Sequence, residues 1–385
     1  MKVSGLCLFS AILLGVIACG SDEPEVSAAS DPAAAGEGVS EGVQTRTLVI
    51  VDSIGVELGD LDYVFGSIEA TAHTTEGNIL VLDRPACSVV EYTPEGEFFR
   101  RMGRSGSGPG EFLNPLAMTR LGDGRTAVFD LNNGGLFTYL ADGNYEGKTD
   151  VQYSEPVLFL TSSIGNSFIG TFNSFEFVDE ELLITAQVAR FDLASAEPLT
   201  VFWENSFTWD FQDLTSLIKG SYFAQTWASD RNGNVFVAPR SPEEYVVNGF
   251  TAEGEPTVTI QLDIDPVRKT SDEIADEAYF WNRRAENMGA NGPFNYQPDE
   301  YRWMVHSLGI DADGRLWVRR GTEETPTFDV FDLQGNYLFK AELAGAWGPR
   351  GLFWEIKIDE FGILAYSLDP EDGYQKLYIL SLDLE

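Results

Sequence analysis

Most of this 385-residue chain is patterned with a period of two: short runs in which apolar and polar residues alternate, separated by tight polar turns. Six times a turn carrying an acidic residue, usually with Gly, leads directly into such a run. They are Thr75-Glu-Gly-Asn-Ile-Leu-Val-Leu-Asp83, Asp123-Gly-Arg-Thr-Ala-Val-Phe-Asp130, Asp179-Glu-Glu-Leu-Leu-Ile-Thr185, Asp230-Arg-Asn-Gly-Asn-Val-Phe-Val237, Asp311-Ala-Asp-Gly-Arg-Leu-Trp-Val318 and Asp359-Glu-Phe-Gly-Ile-Leu-Ala-Tyr366. The first unit reads as strands at 68–74, 79–83, 88–92 and 98–102, and the second repeats the order at 116–120, 126–130, 136–140 and 145–151. Such a unit cannot bury its own apolar faces, so neighbours must stack. Four antiparallel strands recurring about every 48 residues predict an all-β chain: a six-bladed β-propeller of four-stranded blades.

The last blade is one strand short, with runs only at 352–358, 363–367 and 376–382, while Thr47-Leu-Val-Ile-Val-Asp52 stands unassigned before the first blade. An unpaired edge is a liability that closure removes, so this N-terminal strand is expected to complete blade six. Helical periodicity shows in one place, the insertion at 263–302. There Thr270-Ser-Asp-Glu273 fits a capping box, and Ile274, Ala278, Trp281, Ala285 and Met288 follow at spacings of four and three. With 154–166 and 204–220, this insertion belongs to the connections that leave a propeller on one face, where binding functions concentrate.

Between the first two blades lies Met102-Gly-Arg-Ser-Gly-Ser-Gly-Pro-Gly-Glu-Phe-Leu-Asn-Pro115. It resembles the inter-blade signature of NHL-repeat propellers, a Gly-Pro-Gly-x-Phe segment leading to a Pro before the next inner strand. The segment at 345–350 keeps traces of it, and the third and fourth blades have diverged.

Composition adds an address. Residues 1–18 read as a signal peptide: Lys2, then an apolar run from Leu6 to Ala18 too short to span a bilayer. The run ends in Val16-Ile17-Ala18-Cys19, which resembles the bacterial lipobox and implies acylation of Cys19. With no Asp directly after the Cys, the resemblance implies the outer membrane of a bacterial cell envelope. Residues 19–46 are Ser, Ala, Gly, Glu and Pro with almost no large apolar side chain, an acylated, disordered tether to a propeller at 47–385. The mature chain then keeps Cys87 without a disulfide partner, and it is expected to pack as a small hydrophobe.

The net charge of −36 argues against nucleic acid as a partner, because such a surface repels phosphate backbones. It also favours a cationic or neutral ligand, unless local Arg side chains reverse the field. Arg84, Arg104, Arg240, Arg283, Arg284, Arg302, Arg319, Arg320 and Arg350 fall in or beside the connections on the loop-bearing face. Enzyme motifs are absent: no His-Glu-x-x-His, Gly-x-Ser-x-Gly, Walker loop or paired Cys, and only His73 and His306. Gly106-Ser-Gly-Pro-Gly110 lacks the basic residue and helix of a phosphate loop.

One constellation stands out. Glu69, Gln225, His306 and Trp354 each lie eight residues before the turn Gly of their own repeat, which places them at equivalent points near the central channel. Propeller lactonases of the gluconolactonase and paraoxonase kind hold a divalent cation such as calcium there, with a Glu on the first blade that Glu69 resembles in position. Leu116 stands at the matching point of the second blade, however, and that family's Asn and Asp partners are not legible. The expectation is therefore a lipid-anchored, non-enzymatic binding or scaffolding module without a cofactor, with a protein, peptide or glycan partner held by Glu69, Gln225, His306 and Trp354. The alternative is a metal-dependent hydrolase or lyase.

Overall fold

The computed structural model describes residues 34–35, 44–150, 160–162, 164–178, 181–193, 198–209, 214–217, 219–220, 224–287, 295–345, 353–370 and 372–383. The expected signal peptide, Cys19 and most of the expected tether lie outside the described residues.

The described chain is all-β with one long helix. Two N-terminal strands, β1 (Ala34–Ala35) and β2 (Thr45–Ile54), precede four sheets, each built from four consecutive strands. The first holds β3 (Ile68–His73), β4 (Ile79–Asp83), β5 (Ser88–Tyr92) and β6 (Phe98–Met102). The second holds β7 (Pro115–Arg120), β8 (Thr126–Asp130), β9 (Gly135–Tyr139) and β10 (Tyr145–Asp150). The third holds β11 (Leu160–Ser162), β12 (Ser167–Val178), β13 (Glu181–Asp192) and β14 (Pro198–Trp209). After α1 (Leu214–Leu217) comes the fourth: β15 (Gln225–Ser229), β16 (Val235–Pro239), β17 (Tyr245–Phe250) and β18 (Pro256–Leu262), with β1 added in parallel on β18.

The expectation of separate four-stranded blades departs from the structure in the remaining sheet. Beyond α2 (Ser271–Asn287), strands β19 (Val305–Ile310), β20 (Arg315–Arg320), β21 (Thr327–Asp332) and β22 (Tyr337–Leu343) share one eight-stranded sheet with β23 (Trp354–Asp359), β24 (Gly362–Ser367) and β25 (Leu377–Leu382). The joint is β2. It pairs antiparallel with β25 from Leu48 opposite Leu382 to Ile54 opposite Leu377, as expected of a closing strand, and its first residues also pair in parallel with Lys340–Leu343 of β22. Which second edge a strand finds is a tertiary outcome that its own alternation does not encode.

The first strands lie innermost. β3, β7, β11, β15, β19 and β23 neighbour one another in that order, and β23 returns to β3. The core is correspondingly split among the contacts between consecutive units: Leu80, Leu82 and Val89 meet Met118, Val128 and Phe137, and at the seam Ile68, Val81 and Val90 meet Leu364, Tyr366 and Leu377. Strands β4 and β8 are therefore buried on both faces, while the outer strands β6 and β10 are largely exposed.

The acidic turns have a local cause. Asp230 Oδ1 accepts the backbone N–H of Asn232 and of Asn234, and Asp311 Oδ1 accepts those of Asp313 and Arg315, so the carboxylate satisfies donors that the turn would leave unpaired. Gly233 and Gly314 follow with φ of +84° and +70°, which a side chain would strain.

The third unit corrects the sequence reading. Asp179-Glu180 lies between β12 and β13, the second and third strands, not between the first and second. The turn equivalent to the others is Ile164-Gly165-Asn166, with Gly165 at φ +57°. Strands β12 and β13 each run for 12 residues and pair along their whole length, from Ser167 opposite Asp192 to Val178 opposite Glu181, so the hairpin outgrows its sheet. Its extension carries a satellite cluster of Leu182, Ile184 and Trp209 with Phe175 and Phe207. Glu204 to Trp209, expected in a loop, belong to β14 for the same reason.

The glycine-rich junction between the first two units, at 102–115, packs as a structural turn. Phe112 is fully buried and fills the space a Cβ on Gly103 would need, and Asp130 Oδ2 accepts the N–H groups of Leu113 and Asn114 just before β7. Asp83 does the same for Gly66 and Ser67 before β3. Cys87 is buried, as expected, but sits in the turn before β5 at φ +50°.

Candidate functional site at the mouth of the central channel

The inner strands begin at one end of the channel and finish at the other, so the two ends carry different side chains. At the finishing end, a cavity of about 40 Å³ is lined from five inner strands, among them by His73, Arg120, Trp227, Leu308 and Asp359. His73 Nδ1 lies 2.9 Å from Asp359 Oδ1. Burial tends to raise the Asp359 carboxyl, but the His73 bond and charge outweigh it and hold the group below its ordinary value.

The starting end carries the four residues expected at the site. Glu69 and His306 sit at β-bulges, where the register shifts between Ile68 and Ala70 and between Val305 and Ser307; Leu116 occupies the same bulge in β7. Gln225 opens β15 and Trp354 opens β23. All four lie at the same end of inner strands, and Gln225, His306 and Trp354 are buried. Trp354 also packs on Tyr378, with ring centroids 5.3 Å apart, and joins an apolar cluster, so part of its role is packing.

Helix α2 covers this end. Its capping box forms as expected: Thr270 Oγ1 accepts the Glu273 N–H and Glu273 Oε2 accepts the Thr270 N–H. Ile274, Ala278 and Trp281 are half-buried, Phe280 packs on Phe353 beside Trp354 with ring centroids 4.6 Å apart, and the side chain of Ala285 and the whole of Met288 lie outside what the structure describes. The apolar stripe is not the whole of the contact. Glu277 is buried against Lys269 at 2.6 Å, and Arg302 holds Glu273, so one buried and one half-buried ion pair pin the helix as well.

From α2, Arg284 reaches down to Glu69 at 2.7 Å. Arg84 approaches the other oxygen of Glu69 at 3.9 Å, and Tyr366 donates to the Glu69 carbonyl at 3.2 Å. Glu69 Oε2 is buried and accepts no hydrogen bond. Arg240 donates to the carbonyl of His306 and lies over the Trp303 ring, and Arg319 donates to the carbonyl of Trp354. Burial pushes Arg319 down to about 10 against the opposing pull of Glu355, and Arg84 and Arg240 are lowered for the same first reason.

Of the basic residues in the loop-bearing connections, Arg84, Arg240, Arg284 and Arg319 thus converge on the mouth. Arg104 pairs with Glu111, Arg302 with Glu273 and Arg320 with Asp329, and Arg350 lies outside the described residues. Two of the four had a readable signal. Arg84 and Arg240 stand seven residues after the turn glycines Gly77 and Gly233, and each donates its backbone N–H to the residue before its own inner strand, Ser67 and Ala224. Glu355, next to Trp354, had none.

Among the described residues no three His, Cys, Asp or Glu side chains are grouped to hold a metal ion. Guanidinium groups beside Glu69 add repulsion against a cation there.

No family model and no curated relative matches the chain. Solved structures do resemble it. A member of the DUF4221 family from Bacteroides vulgatus is 9% identical with a TM-score of 0.52, covering 87% of this chain and 98% of its own. Virginiamycin B lyase from Staphylococcus aureus is 10% identical at 0.43, covering 85% and 83%. The Cps50 (Swd1) β-propeller domain of Myceliophteria thermophila is 9% identical at 0.43, covering 87% and 99%. At such identity the first likeness speaks for the fold alone, and the other two add no argument.

Proposed function

We propose that this chain is a lipid-anchored β-propeller of the bacterial envelope, most consistent with the outer membrane, that binds a partner at the covered mouth of its channel without transforming it. The partner is a protein, peptide or glycan. In this reading the eight-stranded sheet counts as two blades sharing β2, which gives six blades of NHL-like kind. The observation that carries the binding role is the descent of Arg284 from an inserted helix onto Glu69, which puts a lid in direct contact with the equivalent inner-strand positions.

The anchor rests on Val16-Ile17-Ala18-Cys19. Each buried CH₂ contributes about 0.8 kcal/mol, so two or three acyl chains hold the protein firmly. Cys19→Ala is expected to move the protein out of the detergent phase on Triton X-114 partitioning; unchanged partitioning would overturn the anchor.

The binding site is tested by screening the purified propeller on peptide and glycan arrays, then repeating captures with Glu69→Gln and with Arg231→Gln in an opposite-end turn. The first substitution is expected to abolish capture and the second to leave it intact. The reverse pattern would place the site elsewhere. The metal-hydrolase alternative draws on the unpartnered Oε2 of Glu69. Stoichiometric divalent metal in the purified protein, lost in Glu69→Gln, would favour it over simple binding.

A further inference from the structure

At the finishing end of the channel, one lysine differs from the rest. Lys148, Lys219, Lys269 and Lys340 each pair with a carboxylate at 2.6–2.8 Å, and Lys376 meets the Tyr374 side chain. Among the described lysines, only Lys357 has neither a hydrogen bond nor an ion pair. It lines the cavity of about 40 Å³ together with His73, Arg120 and Asp359. Along β23, Glu355, Lys357 and Asp359 alternate with the buried Trp354, Ile356 and Ile358, so the three ionisable side chains share one face.

The charged groups around Lys357 are already engaged. Asp359 holds His73 at 2.9 Å, and Glu360 holds Arg120 at 2.6 Å. Strands β15 and β19 bring only Trp227, Ala228, Ser229, Leu308 and Ile310 to the cavity, none of which titrates. Glu355 and Asp359 stand two residues to either side of Lys357, about 7 Å along the strand, and act on its charge without bonding it. Burial outweighs both carboxylates and lowers the amine from its ordinary value, which enlarges its unprotonated share at neutral pH.

One water needs about 10–15 Å³ of such space, so the cavity takes on the order of three waters or an organic group of that size. Asp359 and Glu360 stay partly exposed, so it reaches solvent at this end. An unbonded amine facing that space is a nucleophile with no partner to release. The flanking charges select what it can take. A small anion would meet Glu355, Asp359 and Glu360, and carbon dioxide would turn the amine into a carbamate, placing negative charge between carboxylates. A carbonyl compound gives an imine whose protonated form keeps positive charge where the ammonium had it, and Glu355 and Asp359 favour that outcome.

We infer that Lys357 is a capture site for a small neutral aldehyde or ketone, held as an imine in the finishing end of the channel. The amine adds to the carbonyl carbon as the C=O π bond breaks, and its proton passes to oxygen to give a carbinolamine. The nitrogen lone pair then expels that oxygen as water, so amine and carbonyl become imine and water with no change of oxidation state. The His73–Asp359 pair lines the same cavity and can carry the proton that the departing oxygen takes up. This site lies at the opposite end of the channel from the mouth and stands without it.

The experiment treats the intact protein with acetaldehyde and sodium cyanoborohydride at pH 7, which fixes each imine as an N-ethyl lysine. Peptide mass spectrometry then reads the labelling rate of Lys357 against that of the exposed, ion-paired Lys148. The ratio is expected to be about tenfold or more, since each unit by which an amine is lowered frees about ten times more of it. It should shrink as the pH is raised to 10, where other lysines also lose their protons. Benzaldehyde, too large for the cavity, and glyoxylate, an anionic aldehyde, should both give smaller ratios than acetaldehyde. In Lys357→Arg, which keeps the charge but not the nucleophile, the first adduct seen in the intact mass should vanish, with circular dichroism melting to confirm the fold. Because the ratio is read in the unaltered protein, it decides the matter even if that variant melts early. A ratio near one with acetaldehyde overturns the inference. A benzaldehyde ratio equal to that of acetaldehyde would show that the cavity does not enclose the amine, and a larger glyoxylate ratio would make the ligand an anion; either result also overturns it.

Discussion

Deleting the chain through Ile54 is expected to lower the melting temperature by about 10 °C or more, whereas deleting residues 20–43 should change it by no more than about 2 °C. Strand β2 buries Leu48 completely and Ile54 almost so, and Leu48 packs in one cluster with Trp317, Phe339, Leu343 and Leu380. Two such side chains contribute roughly 1.5–3 kcal/mol each, before the backbone pairing lost from both β25 and β22 is counted. The shorter deletion removes the two-residue pairing of Ala34–Ala35 with β18 and leaves β2 whole. Differential scanning calorimetry of the two truncations decides it, and equal melting temperatures would show that β2 closes nothing.

The second large effect is expected at Asp329. Its side chain is fully buried and accepts hydrogen bonds from Tyr245 at 2.9 Å and Tyr337 at 2.7 Å while Arg320 grips it with two bonds at 2.7 and 2.8 Å. Tyr245 comes from β17 in the neighbouring sheet, so one carboxylate ties two sheets together. Asp329→Ala would strand a guanidinium and two phenols, a loss of about 3–5 kcal/mol. Asp329→Asn keeps the shape and should cost less. Urea denaturation measures both, and a loss under about 1 kcal/mol for the Ala variant would mean that water replaces the carboxylate.

The sequence made the strands legible because short apolar runs bounded by turns mark strands buried on both faces, such as β4 and β8, and alternation marks half-buried ones, such as β17, and it made the turns legible because Asp and Gly have local work to do there. Spacing from the turn Gly placed Glu69, Gln225, His306 and Trp354 at one end of the channel, since a repeat fixes equivalent positions without knowledge of contacts. It failed where the repeat itself was misread. Asp179-Glu180 has the composition of a repeat turn, but it lies in sequence between β12 and β13, outside the described residues, and the turn equivalent to the others, at Gly165-Asn166, lacks the acidic residue that marked the rest. The charge of the mouth was hidden for a different reason. Arg84, Arg240, Arg284 and Arg319 are scattered along the chain among other arginines, and only the ring and the returning helix sort those that converge from those that pair elsewhere.

The union of β2 with β25 also sets an order of events. Strand β2 finds its antiparallel partner in β25, so that pairing cannot form until residues 377–382 are present, and it joins segments more than 300 residues apart, counting from Ile54 to Leu377. The earlier units, whose pairings are between consecutive strands, can assemble as they emerge. Until β2 pairs, the edges that it covers on β22 and on β25 are open once those strands have formed. Closure through β25 is thus a slow, late step, and until it occurs the open edges are exposed to chaperones, proteases and other unfinished copies of the chain.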